Sequence, residues 1–420
     1  MARKRGPGLE RWKLNLTVLW FGQFIVMSGM TMIMPFLPLY IQELGIQDEK
    51  SVALWAGIIF ASTFVTSFWF QPLWGKLSDR YGRKVMVIRS GIGMSIVTIL
   101  MGSATSVWHL LFLRILNGTI SGFIPAATAL LSATTPKKHA GFAMGVLQSG
   151  GVAGTILGPF IGGLVADWVG FRPIFYVTGL LILIATLLTM FFVKEPFDRK
   201  QAAKQTNMTI LQSLSEIKKV PQLPALFAVT FMIQFAMLSH MPQIPLYIQH
   251  IHGNVEWIAF LSGLVSSITG LSNMLASPVL GRIGDKHGSE RVLSICLIGA
   301  ALCLVPQALV QNVWQLLVIR FLFGCFIGGL LPSVNALIRH HTPDGMEGRA
   351  FSFNTSSFAL GNMIGPVVGG LISGLIGIRE IFWVGAIMMV INYLWVKKTL
   401  VSPALSGEAE AKPGSRERSN

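Results

Sequence analysis

Twelve apolar runs constrain this chain more than any other feature of its sequence. They occupy 15–41, 53–74, 85–104, 107–131, 142–166, 172–193, 224–249, 257–279, 292–310, 313–338, 350–374 and 380–396. A helix needs about 20 predominantly apolar residues to cross the roughly 30 Å of bilayer hydrocarbon, so each run reads as a transmembrane helix. Composition agrees: 52% of the 420 residues are hydrophobic and only 12% are charged, against roughly 25% charged in globular domains. No soluble core could bury that much apolar side chain, and an all-α membrane protein is the class that fits. The first run follows Arg3, Lys4, Arg5, Arg11 and Lys13, but it is too long for a signal-peptide core and no small-residue cleavage site follows. It therefore reads as a retained first helix. Cys296, Cys303 and Cys325 all lie in apolar runs, which argues for packing rather than disulfides. No Walker-type phosphate loop, H-E-x-x-H or nucleophile–base constellation occurs, so an enzyme is not expected.

Charge placement gives an orientation. With the N-terminus inside, the segments on the inner side hold 27 of the 33 Lys and Arg, and the outer loops hold Lys50, Arg172 and Arg379. That split satisfies the positive-inside rule with both termini cytoplasmic. It also accounts for the net charge of +15 without a nucleic-acid partner. Arg89, Arg114 and Arg320 fall within the runs themselves.

The two halves repeat each other. Pro35, Pro38 and Tyr40 recur as Pro242, Pro245 and Tyr247, while Pro72, Gly75, Asp79, Trp108, Arg114 and Gly118 recur as Pro278, Gly281, Asp285, Trp314, Arg320 and Gly324. Gly158, Pro159, Gly162, Arg172 and Phe175 recur as Gly365, Pro366, Gly369, Arg379 and Phe382. Six helices per copy return the chain to its starting side, so the copies are parallel. The expected organisation is an N-terminal six-helix bundle over 1–193, a cytoplasmic linker over 194–223, a C-terminal bundle over 224–398 and a disordered tail over 399–420.

Between the second and third runs stands Gly75-Lys-Leu-Ser-Asp79-Arg80-Tyr-Gly82-Arg83-Lys84, with a weaker copy from Gly281 through Asp285 to Arg291. Gly75 would permit a close helix approach, Gly82 a tight turn, and Asp79 an acceptor for a neighbouring cation or helix N-terminus. This G-x-L-x-D-R-x-G-R-K segment resembles the best-known motif of the major facilitator superfamily, which implies two six-helix bundles and a gating role for the loop. Arg114-Ile-Leu-Asn117-Gly118 resembles that family's R-x-x-x-G element. An arginine roughly 10 Å into a spanning helix is costly enough to be a functional candidate, and Arg320 repeats it. In the fifth run, Gly150, Gly154, Gly158 and Gly162 fall every four residues beside Pro159, forming a bare stripe for close packing. The Gly154, Gly158-Pro159, Gly162 pattern resembles the exporter signature of the family's twelve-helix drug:proton antiporters, and Gly365-Pro366 echoes it in the eleventh run.

The resemblance implies that runs 1, 4, 7 and 10 face a central cavity, making Gln23, Phe24, Asn117, Gln234, Phe235, His240 and Asn335 its candidate lining. All 18 carboxylates fall in loops, tails or span ends. A mid-membrane acid, the usual means of proton coupling, is therefore missing. His240 is the one histidine near mid-depth, and imidazole titrates near neutrality; Glu43 and Asp167 at the outer ends are the other coupling candidates. The expectation is a monomeric carrier in the cell (inner) membrane that exports small lipophilic compounds by proton antiport, with no cofactor or metal and no partner beyond substrate and bilayer. An uptake symporter or facilitator of the same fold, and a receptor that does not transport, are the alternatives. The charge count yields a direct test. A cysteine placed at 204 in the linker should resist an impermeant maleimide added to intact cells and react once the membrane is permeabilised; ready labelling from outside would contradict the orientation.

Overall fold

The computed structural model describes residues 8–33, 36–136, 139–195, 220–253, 257–342 and 347–401. Met34, Pro35, most of the linker and the tail after Val401 lie outside them. Among the described residues, fifteen α-helices build the twelve runs. The N-terminal half holds α1 (Gly8–Met32) and α2 (Leu37–Glu43) in the first run, α3 (Glu49–Tyr81) and α4 (Arg83–Gly102). It continues with α5 (Val107–Ile120) and α6 (Phe123–Thr134) in the fourth run, α7 (Ala140–Val169) and α8 (Phe171–Phe192). The C-terminal half holds α9 (Gln222–His240), a 3-10 turn Met241–Gln243 and α10 (Ile244–His252), then α11 (Ile258–His287) and α12 (Ser289–Leu309). It closes with α13 (Val313–His341), α14 (Glu347–Leu375) and α15 (Glu380–Val396). Among the described residues, twelve spans are long and apolar enough to cross a membrane.

Local chemistry sets the boundaries. Asp48 caps α3, its carboxylate accepting the Ser51 amide at 2.9 Å and hydroxyl at 2.7 Å, and these bonds hold it below the usual carboxylate range. Ser106 and Asn312, at equivalent places in the two halves, cap α5 and α13 through the amides of His109 and Gln315. Gly82, Gly170 and Gly288 take φ of 100°, 83° and 94°, so each turns the chain between consecutive helices in a single residue. The expected loop from Gly75 to Lys84 is therefore not a loop: α3 runs on to Tyr81 and only Gly82 separates it from α4. The fourth run departs from expectation too. It breaks at Ser121 and Gly122, where Gly122 has φ 138° and the Ser121 hydroxyl turns back to Gly118 and Ser67. The repeated tyrosines have one job in both halves: Tyr40 donates to the Met101 carbonyl and Tyr247 to that of Gln307, tying the first span of each bundle to the third.

Each half packs into a bundle in which α1 lies along α7, α3 along α5 and α4 along α8, repeated as α9 on α14, α11 on α13 and α12 on α15. Two long contacts join the bundles, α7 with α11 and α3 with α14, with smaller ones of α2 on α10 and of the Met241–Gln243 turn on α3. The two long ones are backbone approaches that only glycine permits. A Cβ on Gly263 would strike the Pro159 carbonyl and one on Gly57 that of Pro366, while Gly163 and Gly370 lie against the carbonyls of Ala259 and Ala53. These contacts sit at one end of the molecule. At the same end the Gln42 amide donates to Gln249 at 3.2 Å, Gln243 to the Ala53 carbonyl at 3.1 Å, and Ser267 to that of Ile156 at 2.7 Å. At the opposite end of the same helices, among the described residues no atom of another helix lies within 4 Å of where a Cβ on Gly75, Gly145 or Gly281 would stand. The close approach expected at Gly75 is thus absent here, because the bundles have parted at that end. The protein is closed at one end and open at the other. Gly263→Val should therefore overpack the seam and cost about 1–3 kcal/mol, whereas Gly75→Ala should be neutral; thermal unfolding of the two variants in lipid nanodiscs measures the difference.

Candidate functional site

Two arginines that have no carboxylate partner among the described residues mark the interior. Arg114 on α5 lines a small cavity inside the N-terminal bundle, beside Ile33, Phe60, Thr63, Asn117 and Thr178. Its Nε makes no hydrogen bond. Arg320, its repeat mate on α13, is 4% exposed. It lines a cavity of ≈ 130 Å³ at the seam, enclosed by Thr155 and Pro159 of α7, Met237 and His240 of α9, Ser266 to Asn273 of α11, and Phe323 and Ile327 of α13. Arg320 Nη1 stands 3.3 Å from His240 Nε2. A guanidinium only donates, so His240 accepts at Nε2 and carries its ring proton at Nδ1. Phe323 and Phe382 flank the pair, with the guanidinium carbon 5.7 Å and 5.9 Å from their ring centres.

The other expected lining residues divide. Gln23 is buried and donates to Gln148 of α7 at 3.1 Å, and Phe24 stacks on Trp20. Gln234 and Phe235 do not face these cavities: they pack on Gly361 and Gly365 of α14, because the glycine stripe draws α9 against it. Asn335 is exposed and accepts from Asn354, which in turn accepts the Thr230 hydroxyl at 2.6 Å, so three spans share one polar chain. Gly154, Gly158 and Gly162 press on Phe24, Ser28 and Met32 of α1, as Gly365 and Gly369 press on α9. The same helices turn Pro159 and Pro366 toward the seam. Among the described residues no three His, Cys, Asp or Glu side chains converge as metal ligands.

Both outer-end acids are engaged at the closed end. Glu43 forms a partly exposed salt bridge with Arg172 at 3.3 Å. Asp167 reaches across the seam and accepts the Phe260 amide at 2.7 Å, in the first turn of α11, where a carboxylate is favoured by unpaired amides and the helix dipole. In the glycine-rich motif, Arg80 lies near the Tyr81 ring and Asp285 is exposed; the Asp79 side chain falls outside the described residues. Arg83 and Lys84 are held through their backbone, since Glu195 accepts both amides at 3.0 Å and 2.8 Å and so caps α4. Sequence reasoning missed Glu195, which reads as the start of a linker. Arg89 is visible within a run, but sequence reasoning assigns it no role; its guanidinium lies 3.5 Å above the Trp74 ring.

Comparison with known proteins covers most of the chain. The sequence model of the Major Facilitator Superfamily matches residues 19–273 and 244–418. The multidrug resistance protein MdtG of Salmonella arizonae is 40% identical over 397 residues, covering 94% of this chain and 98% of that protein. MdtG of Citrobacter koseri is 41% identical over 386 residues, covering 91% and 95%. Among solved structures, a bacterial homologue of the human lysosomal transporter Spinster has a TM-score of 0.76 at 16% identity, covering 93% of this chain and 97% of that one. A D-xylose–proton symporter has a TM-score of 0.76 at 15% identity, covering 93% and 98%.

The seam contact at Asp167 can be tested directly. In a background freed of the native cysteines, a cysteine at Ala259, buried at the closed end, should react with a water-soluble maleimide about tenfold faster when Asp167→Ala is added, since a charge-assisted cap is worth roughly 1–2 kcal/mol. An unchanged rate would mean that the glycine contacts hold that end by themselves.

Proposed function

Because the chain belongs to the Major Facilitator Superfamily, we propose that it exports small lipophilic compounds across the cell (inner) membrane by proton antiport, acting as a monomer with both termini in the cytoplasm. The observation that carries this reading is the seam. Two bundles are locked by backbone contact at one end and parted at the other, and among the described residues the parted end carries Lys76, Arg80, Arg83, Lys84, Arg282, Lys286 and Arg291. By the positive-inside rule the open end faces the cytoplasm. A compound entering there meets Met237, Met241, Ile244, Phe323 and Ile327, flexible and aromatic walls that adapt to differing shapes. The names of the relatives, multidrug resistance proteins, support the same direction of flux.

The protein can release its cargo outside only by opening the closed end. The glycine contacts, the Gln42–Gln249 pair and the Asp167 cap then break together, while the facing surfaces at Gly75 and Gly281 come together. The coupling ion is the proton, and we assign it to His240, the one imidazole in the seam cavity. Loading a proton turns Nε2 from acceptor to donor and breaks its hydrogen bond to Arg320, which links protonation to the shape of the cavity. Asp167 and Glu43 lie at the closed end, sealed from the cytoplasm in this state, and serve the gate rather than the coupling.

Efflux of a neutral lipophilic dye such as Nile red from energised cells tests the proposal. Expression of the protein should lower dye retention, a proton ionophore should abolish the effect, and His240→Ala should remove uphill efflux while leaving downhill equilibration. Net accumulation of the dye would replace the export reading with uptake, and efflux indifferent to both the ionophore and His240→Ala would exclude proton coupling.

A further inference from the structure

We infer that a cavity between α3, α4 and α6, away from the seam, binds the phosphate group of an anionic phospholipid of the inner leaflet. The inference rests on the orientation proposed above. At its centre is Arg89, roughly 9 Å along α4 from Arg83 at 1.5 Å per residue. An arginine at that depth is costly unless its charge meets water or an anion. Its guanidinium carbon lies 3.5 Å above the Trp74 ring, and its buried Nε has no hydrogen-bond partner. Among the described residues no carboxylate pairs with it. The Trp74 indole is itself held, donating to the Thr119 carbonyl at 2.7 Å, so the stack fixes the plane of the guanidinium. Arg89 Nη2 lies 3.6 Å from where a Cβ on Gly122 would stand. Gly122 is the turn that breaks the fourth span, and it leads into the first amides of α6, which have no acceptor within that helix. A fixed cation and the positive end of a helix dipole thus stand side by side, an arrangement that favours an anion.

The surroundings suit a lipid headgroup. The cavity measures ≈ 260 Å³, and Gln71 and Ser78 add polar groups to Arg89 while Trp74, Met86 and Pro125 add apolar surface. A guanidinium fork receives two phosphate oxygens, and basic pockets between spans on the cytoplasmic side are a recurring way to hold anionic headgroups. Beside it α3 exposes Phe70 and Leu73, on which acyl chains can lie, and this favours a phospholipid over a free phosphate ion. The fold itself does not require the device. Counted through the repeat, the C-terminal half has Leu280, Ile295 and Gly328 where the N-terminal half has Trp74, Arg89 and Gly122. There α13 runs on unbroken, Leu280 lies against Gly329, and Ile295 is exposed as ordinary lipid-facing surface. The break, the tryptophan and the arginine therefore occur together in one half, where they form one site.

Native mass spectrometry of the purified full-length protein, released from detergent, reads binding without transport and whatever the orientation, so its failure is distinguishable from failure of either reading. The probes are dioctanoyl-phosphatidylglycerol, dioctanoylglycerol, which has the same chains and no phosphate, and inorganic phosphate. The wild-type protein should hold the phospholipid at least about fivefold more tightly than dioctanoylglycerol, as a charge-assisted pair of hydrogen bonds allows, and millimolar phosphate should not displace it. Arg89→Gln should bring the two lipids to within about twofold. Ala129→Phe, which fills the cavity from α6 and keeps the arginine, should lower phospholipid binding to a similar degree, and it decides the matter if Arg89→Gln does not fold. Arg291→Gln, at an exposed position in the other half, should leave the preference intact. Equal affinities for the two lipids, a preference that survives in the folded variants, or an equal loss in Arg291→Gln would overturn the proposal. Displacement of the lipid by inorganic phosphate would overturn it in favour of a soluble anion.

Discussion

Backbone touching backbone across the seam is the contact on which the rest of this protein depends. In hydrocarbon the hydrophobic effect does not drive helices together, so close packing, hydrogen bonds and lipid entropy must do so. Here Gly57 and Gly263 admit the carbonyls of Pro366 and Pro159, and Gly163 and Gly370 admit those of Ala259 and Ala53. The four contacts form two pairs related by the sequence repeat, so one interaction occurs twice about a single axis. On that axis Gln42 hydrogen-bonds to Gln249, its own counterpart. Glycine makes such a seam close without bulky side chains interlocking, which is the kind of contact that can also come apart.

The fifth and eleventh spans each serve two surfaces. One face of α7 carries Gly154, Gly158 and Gly162 against α1, and another carries Pro159 and Gly163 against α11. A motion of one bundle relative to the other is therefore passed through a helix that belongs firmly to its own bundle. The charges follow this division. Asp167 crosses the seam at the closed end, whereas among the described residues the interior Arg114 and Arg320 form no ion pair. Arg320 lies beside the seam cavity with His240 at its guanidinium and two phenylalanines flanking the pair.

Much of this was legible in the sequence because a membrane imposes long period and strict composition. The twelve spans, the repeat and the glycine stripe all arise from that constraint, and each is present in the structure. What stayed hidden depends on rotation about helix axes and on contacts remote in sequence. Gly163 and Gly57 look like any other glycine in an apolar run, and only the packed structure separates them from the Gly154 stripe. Gln234 and Phe235 read as cavity residues because their helix faces the cavity, yet they lie on the face turned to α14. A single positive-φ glycine ended α3, so a segment rich in Lys, Arg and Asp formed a helix end where polarity suggested a loop. His240 drew attention by its depth, but its partner Arg320 lies 80 residues away and no local pattern links the two.

The account stands on the claim that the two ends of the seam open in alternation. Spin labels at Trp168 and Leu375 report on the closed end, and labels at Leu73 and Val279 on the open end; all four positions are exposed. Double electron–electron resonance on the two pairs in lipid nanodiscs, with pH and transported compound varied, follows both distances. A shift toward longer distances at Trp168–Leu375 accompanied by shorter ones at Leu73–Val279 is the predicted result. Both distances lengthening together, or neither responding under any condition, would contradict it.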